Sequence, residues 1–78
     1  MNPRIVSVIA NNDYTLILGF DNGEIRVYDV NPLLDFGIFK ELKDINYFKK
    51  ISVFNGTVQW PHEQDTCPDT VYLDSQPA

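Results

Sequence analysis

The sequence predicts a small α+β domain: an antiparallel sheet built from two Asn-Gly hairpins, with two or three short helices packed on one face. Three observations predict it. The dipeptides Asn22-Gly23 and Asn55-Gly56 each stand between runs of β-branched and apolar residues. Between them an apolar residue recurs at every third position, at Phe39, Leu42, Ile45 and Phe48, a spacing that suits helical turns. The chain has 78 residues, which allows one domain.

Ile5 to Ala10 reads as a strand because it is mostly β-branched or apolar. Asn11-Asn12-Asp13 is a turn cluster, since Asn and Asp tolerate left-handed backbone. Tyr14 to Phe20 follows as a strand. It sets Tyr14, Leu16, Leu18 and Phe20 on one face and Thr15, Ile17 and Gly19 on the other. Asn22-Gly23 then predicts a two-residue type I′ turn, with positive φ at both residues. That loop pairs Phe20 with Ile25 and Leu18 with Val27 on the apolar face. On the outer face it pairs Gly19 with Arg26 and Ile17 with Tyr28. Asp29 falls opposite Leu16, and we expect it to cap the turn at Asn31-Pro32.

Asn31-Pro32 reads as that turn, or as an N-cap with proline at the first position of a short helix. The segment from Phe36 to Lys43 is open between helix and loop. Asp44 is the expected N-cap of a short helix running to Lys50. Around Asn55-Gly56 the same register logic pairs Val53 with Val58, Ile51 with Trp60 and Ser52 with Gln59. Pro61 ends that strand, because it cannot donate a ladder hydrogen bond. Pro68 opens a last helical turn carrying Val71, Tyr72 and Leu73. The domain is expected to span residues 1–74, with 75–78 a frayed tail.

Composition narrows the function classes. Hydrophobic residues make up 44% of the chain and aromatics 13%, a globular balance. A chain this short has little depth for an internal ligand pocket. The net charge is −5, and among six basic residues only Lys49-Lys50 are adjacent. Nucleic-acid binding depends on basic side chains neutralising phosphates, so none is expected from this domain alone. Cys67 is the single cysteine, which fits a reducing cytoplasm better than a disulfide-stapled secreted domain. No signal peptide is read at the N-terminus, and no apolar run reaches membrane-spanning length.

One cluster mixes ligating and nucleophilic side chains: His62, Glu63, Asp65, Cys67 and Asp69, directly after Trp60. It lacks the paired spacings of zinc sites, and a five-residue separation does not make His62 the base of a Cys67 nucleophile. We read it as a polar loop, with Asp65 capping the last helical turn. No catalytic residue, metal ligand or cofactor site is expected, and no small-molecule substrate is evident. Trp60 and Tyr72 read as packing residues, since a base-stacking platform would want flanking cations. The more informative positions lie off the core face: Ile17, Tyr28 and Phe54, near Arg26. If no helix covers them they form an apolar patch of the kind that marks partner surfaces. Otherwise the short helices or the first strand cover it.

The motifs Leu18-Gly19-Phe20-Asp21-Asn22-Gly23 and Val27-Tyr28-Asp29-Val30 come first. Leu42-Lys43-Asp44, Phe48, Gly56-Thr57-Val58, Trp60, Asp65, Pro68-Asp69 and Tyr72 follow in order. Over nearly the whole chain this resembles the DUF 2442 family of small bacterial domains of unknown function. The resemblance implies a small α+β fold, an intracellular bacterial protein and no assigned activity. Fusion of some relatives to helix-turn-helix domains, or their proximity to another small protein, implies an accessory or antitoxin-like role. The expectation is a non-catalytic interaction module that binds another small protein or itself. The rival expectation is a metal-dependent enzyme using residues 62–69.

Overall fold

The computed structural model describes residues 3–62, 64 and 67–78. Three strands form an antiparallel meander: β1 (Ile5–Ala10), β2 (Thr15–Phe20) and β3 (Ile25–Asp29). A two-residue strand, β6 (Gln76–Pro77), pairs with β3 and completes the order β1-β2-β3-β6. The second hairpin, β4 (Ser52–Phe54) and β5 (Thr57–Gln59), forms its own two-stranded sheet. The two Asn-Gly hairpins therefore lie in separate sheets, not in one as the sequence predicts.

Both loops of the meander hold three residues. After β1, the Asn11 N–H donates to the Thr15 carbonyl at 2.9 Å, and Tyr14 takes a φ of 65°. After β2, the Phe20 N–H donates to the Glu24 carbonyl at 2.9 Å, and the Gly23 N–H to the Phe20 carbonyl at 3.0 Å. Positive φ in that loop falls on Gly23, at 89°, and not on Asn22. This is the three-residue hairpin in which a type I turn is followed by a left-handed residue.

The extra loop residue moves the register by one from the predicted pairing. Leu16 pairs with Tyr28, Ile17 with Val27, Leu18 with Arg26 and Gly19 with Ile25. Because side chains alternate with period two, the slip exchanges the faces of β3. The predicted register would have put Asp29 on the buried face. The observed one buries Tyr28 and Val30 there and leaves Asp29 exposed, paired with Thr15. Asp29 accepts the Asn31 N–H at 2.9 Å, which caps the turn that follows.

The Asn55-Gly56 loop is the shorter kind. Both residues have positive φ, 51° and 80°, and the strands pair Ser52 with Gln59, Val53 with Val58 and Phe54 with Thr57. The predicted Ile51–Trp60 pair lies beyond this ladder, and the Trp60 N–H donates to the Gln64 carbonyl instead. The hairpin tip docks on the start of β1. The Ile5 N–H donates to the Gly56 carbonyl at 2.9 Å, and the Arg4 guanidinium to the Asn55 carbonyl at 3.2 Å.

Between the sheets the chain turns tightly. Asn31–Leu33 is one 3₁₀ turn and Gly37–Lys43 a longer 3₁₀ helix. A 3₁₀ helix has three residues per turn, so the every-third spacing of Phe39 and Leu42 keeps both on its inner side. Leu42 is fully buried and Phe39 half-buried. Asp44 then caps helix α1 (Ile45–Phe48), accepting the Asn46 N–H at 3.0 Å. Helix α2 (Pro68–Asp74) has Cys67 at its N-cap; the predicted cap, Asp65, lies outside the described residues.

The core joins the inner face of the sheet (Ile5, Leu16, Leu18, Phe20, Tyr28, Val30) to Leu34, Leu42, Phe48, Val58, Trp60 and Val71. Phe48 meets Tyr14 edge to face at 5.2 Å, and Tyr72 meets Phe20 in the same way. The C-terminal segment, expected to fray, pairs with β3 through β6. Ser75 is buried, with Arg26 donating to its hydroxyl at 2.6 Å and to its carbonyl at 2.8 Å. An arginine on the inner face of β3 needs acceptors, and Ser75 of the C-terminal segment supplies two of them beside Glu24.

Candidate functional site

The register places two rows of side chains on the side of the sheet away from the core. One row is Ile9, Ile17 and Val27; the other is Ser7, Gly19 and Ile25. All of the first row and Ile25 of the second are β-branched and apolar. Ile9 is 61% exposed and Ile25 52%, with Ile17 and Val27 half-buried between neighbours. Gly19 is buried beneath its neighbours: a Cβ there would lie 2.3 Å from the Ser7 Oγ and 3.6 Å from the Ile25 Cδ1. Among the described residues, α1 and α2 place Phe48, Val71 and Tyr72 against the inner face, so this face is open.

Of the surface expected from the sequence, Ile17 stands on this face. Tyr28 does not. It is on the inner face and only 7% exposed, because the loop holds three residues rather than two. Arg26 moves with it. Its guanidinium sits over the Tyr72 ring at 4.6 Å and pairs with Glu24 at 3.2 Å. Phe54 is exposed, but on the separate two-stranded sheet. The structure therefore does not gather Ile17, Arg26, Tyr28 and Phe54 into one patch. Ile9, Ile25 and Val27 are the residues that sequence reasoning missed. The available signal was Val30: an apolar residue two places after Tyr28 extends the buried phase, where the other phase ends in Asp29.

The polar loop after Trp60 resolves into a hydrogen-bonded cluster. The His62 Nδ1 lies 2.7 Å from the Glu41 Oε2, and the His62 backbone N–H donates to the Tyr47 hydroxyl at 2.9 Å. Tyr47 donates to the Gln64 Oε1 at 2.7 Å, and the Gln64 Nε2 to the Glu41 Oε1 at 3.1 Å. Gln64 is 2% exposed, and its amide joins the 3₁₀ helix, α1 and the loop. Glu41, Tyr47 and Gln64 were not foreseen, since they come together only across 17 to 23 residues of chain. Glu63 and Asp65 lie outside the described residues. Cys67 is exposed, and backbone N–H groups of Thr70 and Asp69 hold its thiol below the usual range. Among the described residues no group of three or more His, Cys, Asp or Glu is placed to hold a metal ion.

Trp60 is a core residue: it is 1% exposed and its indole N–H donates to the Phe48 carbonyl at 2.9 Å. Tyr72 is half-buried, and its hydroxyl donates to Glu24 at 2.6 Å. Among the described residues no helix is long and apolar enough to cross a membrane.

These features define a small α+β domain whose four-stranded sheet is packed on one face and apolar and open on the other. The chain belongs to the family described as protein of unknown function (DUF2442), whose model matches residues 5–77. No curated protein and no solved structure matches it.

Proposed function

We propose that this domain is a protein-interaction module without catalytic chemistry, and that its contact surface is the outer face of the four-stranded sheet. The single observation that carries this reading is the exposure of Ile9 and Ile25 on either side of Ile17 and Val27. Contiguous apolar surface of this kind marks binding sites, whereas scattered exposed apolar residues do not. The His62–Glu41 pair supports the non-catalytic part. Its hydrogen bonds run to Tyr47 and Gln64, groups that tie the loop to the fold. We place the module in the bacterial cytoplasm as an accessory or regulatory component; the lone, exposed Cys67 supports a reducing setting.

The test is retention of the native binding partner by the purified chain and by an Ile9→Lys, Ile25→Lys double variant. Circular dichroism would show that the variant keeps its fold. The expected result is loss of the partner from the double variant. Equal retention by both chains would overturn the reading.

A further inference from the structure

We propose that Asn55 is a site of spontaneous deamidation, and that its isoaspartyl product unhooks the second hairpin from β1. The reaction is intramolecular. The backbone nitrogen of the next residue loses its proton and attacks the Asn side-chain Cγ. A new N–C bond closes a five-membered imide, the bond from Cγ to the amide nitrogen breaks, and ammonia leaves. Water then opens the ring at one of its two carbonyls, giving aspartate or isoaspartate. Glycine as the next residue leaves the attacking nitrogen accessible, because it has no side chain to shield it. The chain has two such dipeptides, Asn22-Gly23 and Asn55-Gly56, and both asparagines are exposed.

The fold protects one dipeptide and not the other. At Asn22 both reacting groups are held. The attacking nitrogen, that of Gly23, donates its N–H to the Phe20 carbonyl at 3.0 Å. The Asn22 Oδ1 accepts the Glu24 N–H at 3.0 Å, and its Nδ2 donates to the Glu24 carboxylate at 2.6 Å. Attack there has to break all three bonds. At Asn55 neither reacting group is held: among the described residues, the Gly56 N–H and the Asn55 side-chain amide have no hydrogen-bond partner. Bringing the Gly56 nitrogen to Cγ turns the peptide out of the left-handed setting of Asn55, φ 51°, a conformation that a residue with a Cβ leaves readily. The bond given up is the exposed one from the Arg4 guanidinium to the Asn55 carbonyl, 3.2 Å. With two fewer hydrogen bonds to break, Asn55 should react at least about tenfold faster than Asn22.

The position matters because this loop joins the two sheets. The Ile5 N–H donates to the Gly56 carbonyl at 2.9 Å, and a Cβ on Gly56 would lie 2.9 Å from the Arg4 Cδ. Isoaspartate adds one methylene to the main chain of a two-residue turn and converts the Asn55 main-chain carbonyl into a free carboxylate. A fit that does not admit a Cβ does not absorb an extra backbone carbon, so the Ile5 bond is lost. The aspartyl product keeps the main chain as it was and leaves the contact in place.

Ageing the purified chain in mildly alkaline buffer, with and without denaturing urea, tests this. Trypsin puts the two sites in separate peptides, 5–26 and 51–78, and mass spectrometry follows the conversion of amide to acid in each. In the folded chain Asn55 should convert at least about tenfold faster than Asn22. In urea the two rates should converge, since both are Asn-Gly and the fold no longer distinguishes them. Conversion of Asn22 at the same rate or faster in the folded chain overturns the proposal. So does a folded chain in which neither site converts, or a preference for Asn55 that persists undiminished in urea, which would come from local sequence and not from the fold. The isoaspartyl form, separated from the aspartyl form by chromatography, should lose amide-exchange protection at Ile5 while the aspartyl form keeps it. Equal protection in the two forms overturns the unhooking.

Discussion

Leu16 stands directly across from Tyr28 on the buried face of the sheet, and that pairing decides which side chains the domain shows to solvent. It requires three loop residues between β2 and β3. It places Tyr28 and Val30 inside, and Ile25 and Val27 outside.

The pairing makes a contrast that stability measurements can read. Tyr28→Ala removes a nearly buried aromatic and should cost about 3 kcal/mol. Ile25→Ala acts on a side chain already half in water and should cost less than about 1 kcal/mol. Urea unfolding of the two variants checks this. Equal costs, or the reverse order, would mean that the two-residue loop register is the one formed.

Tyr14 holds a left-handed backbone at the position where the β2–β3 loop has Gly23. For a residue with a Cβ that conformation costs roughly 1–2 kcal/mol. Its ring meets Phe48 edge to face, and its hydroxyl donates to the Lys43 carbonyl. Tyr14→Gly relieves the backbone and loses those contacts, so we predict a net loss of about 1–2 kcal/mol, against a smaller loss for Tyr14→Phe. A glycine variant that melts higher than wild type would show that the ring contributes little.

Glu24 and Tyr72 set the pH limits of the C-terminal contact. The Tyr72 hydroxyl, then Asn22, then the Arg26 charge hold the Glu24 carboxyl below its usual range. The same hydrogen bond, then burial, raise Tyr72 above the ordinary tyrosine value. A lowered carboxyl contributes stability above its unfolded value, which is lost as pH falls through the folded one. A raised tyrosine contributes below its unfolded value, and that is lost as pH rises through the folded one. Glu24→Gln should therefore flatten the acid limb of a stability–pH curve. It should reduce the alkaline limb without abolishing it, because burial, then Asp74 and Asp29, also raise Tyr28. An acid limb unchanged by the substitution would refute the assignment.

Ser75 binds the Arg26 guanidinium through its hydroxyl and its carbonyl. Ending the chain at Asp74 would leave that charge, 15% exposed, without either acceptor and would open the edge of β3. The truncated chain should lose about 2–3 kcal/mol by urea unfolding. Unchanged stability would mean that 75–78 is dispensable.

Much of the fold was legible because its causes are local. Asp44 caps α1 from its own side chain, Asn55-Gly56 reverses the chain in the register expected around it, and Asp29 caps the Asn31 turn. The every-third spacing of Phe39 and Leu42 left helix and loop open over residues 36–43, and the chain forms a 3₁₀ helix there.

What the sequence by itself determined is therefore the α+β class, the family and the two chain reversals at Asn-Gly. Only the tertiary structure decided the face. Ile25 and Val27 alternate with Arg26 and Tyr28, so either phase of β3 offers apolar residues to the core, and local preference cannot choose. Beside the local signal of Val30, the choice comes from distant groups: Arg26 finds Tyr72 and Ser75 almost fifty residues on. The His62–Glu41–Gln64 cluster follows the same rule. Hydrogen bonds across such separations form only after the core has brought their segments together, and the open apolar face is what that core leaves behind.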